Sequence, residues 1–477
     1  MKAMDWLRGD SGSLRWGLLL LIVAGSAFVA AGIPLGPVTF FGSIIAVLFA
    51  YAYPYVAFAL MVGLIPFLGL FVHIPASSLP LGSQLFGGSI DMLFGEVIAI
   101  AVMAAWALKI LLLWFKRNDV NWKPWFPLFW PMMAIVATHV ISMFSVFQPD
   151  ALLVIKYAIR PVLWSYLLYI ALTVNIIRSK RRLKMVLAVL VGTGIFASVL
   201  GFLSLWFAQD PGQIFPRAKP IALFGLYPLG ENHNLLAEWL SVTVPYTFAL
   251  ALFIRSAKTK RLLFFAAGFQ ILIALMTFAR SLWIVFAFEA LFFGWLMWRK
   301  KIAEYIPQIV LGLVLLLPLG FLMALFSSSA LVASSTSTRV MMTEIAMNTW
   351  AQSPWIGAGA GTFEDRIGQT ALFVIEFGTP LDSHGWIQKL FAEVGLIGFL
   401  AVVWFFYVAY RFLRRSWGVL FLRAPLNQRM LMAIFVVAAS GAIVYQLFNT
   451  SYWSGKLWLP IGLLFAVTRV FDSSADS

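Results

Sequence analysis

The sequence predicts an all-α, polytopic membrane protein, and three observations carry that reading. Of its 477 residues, 62% are hydrophobic and 11% are charged, against about 45–50% and about 25% in soluble domains. No water-facing globule hides so much apolar surface. The apolar residues gather into runs of the roughly 20 residues that a helix needs to cross a bilayer. Lys and Arg fall between alternate runs, as in a chain that crosses repeatedly with a fixed orientation. The composition also excludes disordered, collagen-like and disulfide-scaffold classes, and cysteine is absent.

Fourteen runs follow in order: 16–33, 36–52, 54–72, 92–115, 124–146, 151–177, 183–207, 234–254, 261–279, 281–298, 305–326, 386–410, 429–449 and 452–470. This sets a bundle of about 12–14 spans forming one integral membrane domain, 1–477. The first run is span-length with no small-residue cleavage site, so it reads as a span and not a removed signal. Gly36 to Val72 is one long apolar stretch broken around Tyr53-Pro54. Leu262 to Trp298 is another, broken around Phe278-Ala279-Arg280-Ser281. Each suits a tight helical hairpin.

Of the 34 Lys and Arg, 24 fall on one side of the alternation, including Arg178, Lys180, Arg181, Arg182 and Lys184 after the sixth run. By the positive-inside rule that side is the cytoplasm, with both termini there. The net charge of +15 therefore orients spans and does not call for nucleic acid.

Three connections on the opposite side are long: 73–91, 208–233 and 327–385. The last is too long for a connector. It holds a helical stretch at 338–350, with Ser337 or Thr338 as a plausible N-cap, stopped by Pro354.

That loop ends in Ser353-Pro354-Trp355-Ile356-Gly357-Ala358-Gly359-Ala360-Gly361-Thr362-Phe363. Further on come Asp382-Ser383-His384-Gly385 and then Glu393-Val394-Gly395-Leu396-Ile397-Gly398. No strand precedes the glycines and no helix opens on them, so neither a dinucleotide fingerprint nor a P-loop fits. With Arg339 upstream, the set resembles the bacterial O-antigen ligase and O-antigen polymerase family. The shared pattern runs from an arginine in a loop helix, through a Pro-x-x-Gly-x-Gly-x-x-x-Phe turn, to a histidine before a Glu-x-Gly-Leu-x-Gly span. Phe278-Ala279-Arg280-Ser281 resembles that family's hairpin tip, with Ala279 in place of a hydroxyl residue. Asn232-His233-Asn234-Leu235-Leu236-Ala237 resembles its Asn-x-Leu-Ala opening of a span. Gly385 departs from the histidine–asparagine pair of ligases. The resemblance covers roughly 225–405.

The resemblance implies a GT-C-like membrane glycosyltransferase of a bacterial cytoplasmic membrane, with its active site on the extracytoplasmic face. Its donor is an oligosaccharide on polyprenyl (undecaprenyl) pyrophosphate and its acceptor is a glycan or a lipid core. No metal or other cofactor is implied.

The residues fit such chemistry. A departing pyrophosphate needs cationic donors, and the arginine fork binds its oxygens bidentately. Arg280 sits at a hairpin tip and Arg339 at the start of the loop helix. Lys156 and Arg160 are spaced i,i+4 inside a span, where charge is costly and by default functional. Arg217 and Lys219, flanked by Pro216 and Pro220, complete a clamp or touch anionic lipid.

Glu96, Glu238 and Glu289 are carboxylates within spans and need partners. No HExxH or Asp-x-Asp appears, which leaves a metal site unsupported. His384 is the candidate general base for the acceptor hydroxyl. Asp382, Glu231 or Glu376 could orient it or act instead. Glu231, Asn234 and Asp382 join the substrate-binding set. An inverting single displacement is expected. Polymerase is slightly favoured over ligase. A lipid-linked glycan flippase or transporter, and a lipid-binding scaffold, are the competing classes.

Overall fold

The computed structural model of the protein describes residues 37–75, 89–115, 124–146, 154–208, 216–298, 330–377, 385–449 and 453–472. The runs expected at 16–33 and 305–326 lie outside the described residues, and so do Asp382 and His384.

The elements follow in chain order. Helices α1 (Pro37–Ala52) and α2 (Pro54–Leu64) lead to strands β1 (Phe71–Pro75) and β2 (Ser89–Leu93), then to α3 (Phe94–Phe115) and α4 (Phe129–Ser142). A π-helical turn at Val154–Ile159, α5 (Arg160–Ser165), a second π turn at Tyr166–Ala171 and α6 (Leu172–Ile176) make one irregular rod. Then come α7 (Lys180–Phe207), α8 (His233–Phe253), α9 (Ala257–Met276) and α10 (Arg280–Trp298). The chain closes with α11 (Ala330–Gln352), α12 (Phe363–Gly368), α13 (Ala371–Phe377), α14 (Trp386–Arg423), α15 (Leu426–Gln446) and α16 (Gly455–Asp472).

Eight helices among the described residues are long and apolar enough to cross a membrane, and the architecture is the polytopic helix bundle that hydropathy predicts. The α1–α2 pair passes the same test only together, bent by 117° at Tyr53. Pro54 takes the first helical position, where its missing N–H costs nothing. At 11 residues, α2 is about 16 Å long, about half a bilayer core. The run expected at 54–72 is thus a short helix that ends at Leu64 and gives way to β1. The chain around Gly69 is held by a Gly69 N–H bond to the Pro228 carbonyl, 3.0 Å. Strands β1 and β2 pair antiparallel, His73 opposite Asp91. The ends of the 73–91 connection therefore form a hairpin, which an apolar run conceals from a helix-period reading.

The chain divides into two compact units: Met1–Phe126 with Leu167–Arg280 and Phe465–Ser477, and Pro127–Tyr166 with Ser281–Leu464. In the first, α7, α8 and α9 pack around a buried polar network. The Thr243 hydroxyl donates to Gln270 Oε1 at 3.1 Å, and Gln270 Nε2 donates to Thr247 Oγ1 at 3.1 Å. Gly194 on α7 admits Thr243 and Gln270 at close approach. Small residues and interhelical hydrogen bonds replace the hydrophobic driving force that lipid removes.

The same unit satisfies the end of α6 with arginines. The last carbonyls of a helix have no partner within it. Arg469 donates to Val174 O (3.1 Å), Arg178 to Asn175 O (2.9 Å) and Arg182 to Ile176 O (3.1 Å). Cations also suit the negative end of the helix dipole. Arg182 lies 3.8 Å over the Tyr55 ring and Arg469 stands 5.6 Å from that of Trp125. Burial, with the nearby charges of Arg469 and Arg182, lowers the Arg178 pKa to about 10, so it stays charged at neutral pH.

In the second unit, α4 and α11 pack on α14. Met342 and Ala346 of α11, Phe363 and Ile367 of α12, Phe373 of α13 and Ala392 of α14 form one buried cluster. The described part of the 327–385 loop is therefore a folded element with its own core. Helix α11 already runs from Ala330, so Ser337, Thr338 and Arg339 stand inside it and not at its N-terminus. Glu289 of α10 is buried against the bare backbone of Gly441 on α15.

Candidate active site

The second unit holds the motif-bearing loop, and its geometry explains the motif. Helix α14 breaks at Gly395, whose φ of 64° and ψ of −165° are open essentially to glycine alone. A broken helix in a membrane must satisfy its freed backbone groups within the protein. Segment 354–359 does this on both sides of the break. Ala358 N–H donates to Ala392 O at 2.8 Å and Gly359 N–H to Glu393 O at 3.0 Å. In return, Leu396 N–H donates to Pro354 O at 2.9 Å and Ile397 N–H to Trp355 O at 3.1 Å. Gly357, at φ 75°, lies so close that a Cβ would overlap the Glu393 carbonyl. The Pro-x-x-Gly-x-Gly run and the Glu-x-Gly-Leu-x-Gly run are thus two halves of one clamp.

Side chains extend the clamp. Glu393 Oε1 accepts from Phe363 N–H at 3.2 Å, where α12 begins, and lies 3.8 Å from Lys389 Nζ. Ser142 Oγ at the end of α4 accepts from Ala360 N–H at 3.0 Å. The Tyr157 ring packs on Gly361, where a Cβ would overlap it. That contact sets the π turn bearing Lys156 and Tyr157 against the glycine run, with Arg160 opening α5 just beyond. Single π turns recur at functional sites. Helix α14 starts at Trp386, two residues past His384 in sequence.

Glu393, Ser142 and Tyr157 work in the clamp without being candidates in the sequence. Glu393 is visible in sequence only as part of a motif; Ser142 and Tyr157 carry no local signal. His139 is structural: it is buried, its Nδ1 donates to Ile135 O at 2.8 Å, and its ring meets Trp453 edge-on at 5.5 Å.

The first unit positions the other expected residues. Arg280 is exposed and opens α10. Before it the chain turns through Phe278, in the left-handed region at φ 53°. Thr277 Oγ1 accepts from Ala279 N–H at 3.3 Å, a hydroxyl contact made two residues before the expected place. Arg217 and Lys219 flank Ala218, whose N–H donates to Met276 O at 2.8 Å, and Lys219 N–H donates to Ser204 Oγ at 2.9 Å. Glu231 is exposed. Asn232 caps α8, its Oδ1 accepting from Asn234 N–H at 2.8 Å. Asn234 is therefore a first-turn residue behind a cap.

These features define a polytopic α-helical membrane protein with a clamped loop beside a broken span. Residues 263–403 match the family model described as O-antigen ligase. The match takes in Arg280, Arg339, His384, the glycine run and Gly395, and supports a membrane glycosyltransferase of the O-antigen ligase or polymerase type. Arg217, Lys219, Glu231 and Asn234 fall outside it. Similarity also extends to a chain of the solved structure described as "Structural coordination of polymerization and crosslinking by a peptidoglycan synthase complex". It has 16% identity, covers 72% of this chain and 96% of that one, and has a TM-score of 0.39; so distant a likeness carries no functional argument. No curated protein matches the chain.

Proposed function

We propose that this protein transfers a glycan from a polyprenyl-pyrophosphate donor to a sugar hydroxyl, polymerising or ligating cell-surface polysaccharide repeat units. Polymerisation is the slightly favoured outcome. The observation that carries the reading is the family match at 263–403, together with the clamp that ties its two glycine motifs into one structure. A flippase or scaffold gives no reason to fix the motif-bearing loop so tightly.

In this reading His384 takes the proton from the acceptor hydroxyl as that oxygen attacks the anomeric carbon, with Asp382 or Glu376 as its partner. The anomeric bond to the pyrophosphate breaks in the same step, with inversion. Arg339 and Arg280 supply guanidinium charge to the departing pyrophosphate oxygens. Lys156, Arg160, Arg217, Lys219 and Asn234 bind the donor's charged and sugar portions. The reaction faces the exterior of a bacterial cytoplasmic membrane, and both termini are cytoplasmic.

The deciding experiment is reconstitution in proteoliposomes with a polyprenyl-pyrophosphate repeat unit, with and without a lipid-core acceptor. A ladder of sizes identifies a polymerase and a single conjugate a ligase; no product overturns the proposal. Chelator leaves turnover unchanged, and inhibition reversed by a divalent cation contradicts the metal-free mechanism.

A further inference from the structure

The loop carrying Arg217 and Lys219 also presents a feature that the transfer chemistry leaves unused. Its base is fixed. Ala218 is fully buried, and its N–H and that of Lys219 bond to Met276 and Ser204. Pro228 O accepts from Gly69 N–H, and Gly69 approaches Tyr227 so closely that a Cβ would overlap its carbonyl. Its tip is a two-residue turn, closed by Leu223 N–H to Leu226 O at 2.7 Å and Leu226 N–H to Leu223 O at 3.0 Å. Phe224 at φ 52° and Gly225 at φ 81° occupy the two central positions, and both require the left-handed region.

Glycine or asparagine meets that requirement cheaply; a phenylalanine does not. Phe224 is nonetheless 105% exposed, with Leu226 and Tyr227 exposed behind it. A strained backbone that holds a bare aromatic outward is an outlier that packing within the protein does not explain.

The surroundings say what it meets. Met276 is the last residue of α9 and Ser204 stands one turn from the end of α7, both membrane-crossing helices. From Lys219 the tip is five residues away, at most about 17 Å. The end of α7 carries its own aromatic belt: Phe202 and Trp206 meet edge-on at 4.4 Å, and Phe207 is 79% exposed. Aromatic side chains favour the level where acyl chains meet headgroups, and cations such as Arg217 and Lys219 suit the phosphates there.

We infer that Leu223–Tyr227 is a membrane-dipping wedge, with Phe224 and Leu226 seated in the lipid interface at the α7–α9 end of the bundle. It stands independently of the transfer reaction. The chain has no cysteine, so Phe224→Cys and, separately, Leu226→Cys each introduce a single thiol. The full chain is reconstituted in nanodiscs with that thiol carrying a bimane, and two quenchers are compared: nitroxide lipids and aqueous iodide. The wedge predicts at least about two-fold quenching by lipids labelled near the glycerol end of the acyl chain, and little by iodide, at both positions. Iodide quenching without lipid quenching at both positions overturns it, whether the tip stands in water or touches another protein copy.

Discussion

A broken helix and a helix end in this protein solve one problem in different ways. At Gly395 the break in α14 is satisfied by main chain: four hydrogen bonds to segment 354–359, plus the Glu393 carboxylate on Phe363 N–H. At the end of α6 the carbonyls of Val174, Asn175 and Ile176 are satisfied by the side chains of Arg469, Arg178 and Arg182. Long, flexible side chains can re-form such contacts after a local shift. A main-chain clamp cannot, because its donors and acceptors have fixed spacing and its glycines have no room for a Cβ. Fixed geometry is held where the family motif lies, and the adaptable solution closes a helix end.

The clamp is tightest at Gly357. Gly357→Val forces a branched side chain into the Glu393 backbone and into a left-handed residue. It is expected to cost about 3 kcal/mol or more, read as loss of monodisperse protein in detergent or a thermal midpoint far below wild type. Wild-type stability would show that the clamp is not closed.

Next comes Glu393→Ala, which strips the acceptor from Phe363 N–H and the partner from Lys389. About 1–3 kcal/mol is expected, with turnover falling more than stability because the neighbouring turn of α14 loosens. A purely proportional loss would make Glu393 only a stabilising residue. The smallest effect is expected from Arg469→Ala, which uncovers one carbonyl that water or a neighbouring arginine can reach. About 1 kcal/mol is expected, with turnover per folded molecule unchanged. A loss as large as that of Gly357→Val would erase the contrast between the clamp and the helix end.

Hydropathy made most of the bundle legible, because membrane burial selects composition along a whole helix and needs no partner to be known. The break at Tyr53-Pro54 and the hairpin before Arg280 were legible too, since proline and a short polar interruption act locally. Other features depended on distant residues. Nothing local in Ser142 points to Ala360, 218 positions away. The hairpin of β1 and β2 was hidden because its strands sit in apolar sequence. Helix α11 already runs from Ala330, ahead of the serines and threonines that suggest a cap near 338. The motif glycines were visible as letters, but their mutual clamp required the fold.

Glycan transfer driven by His384 is the step on which the proposed mechanism depends. It is tested most directly by comparing wild type and His384→Ala in proteoliposomes, following polyprenyl-pyrophosphate release together with glycan product. His384→Ala is expected to fold with an unchanged thermal midpoint, still to bind the lipid-linked donor, and to lose turnover by at least about 10²-fold. Turnover near the wild-type rate in the folded variant would contradict it.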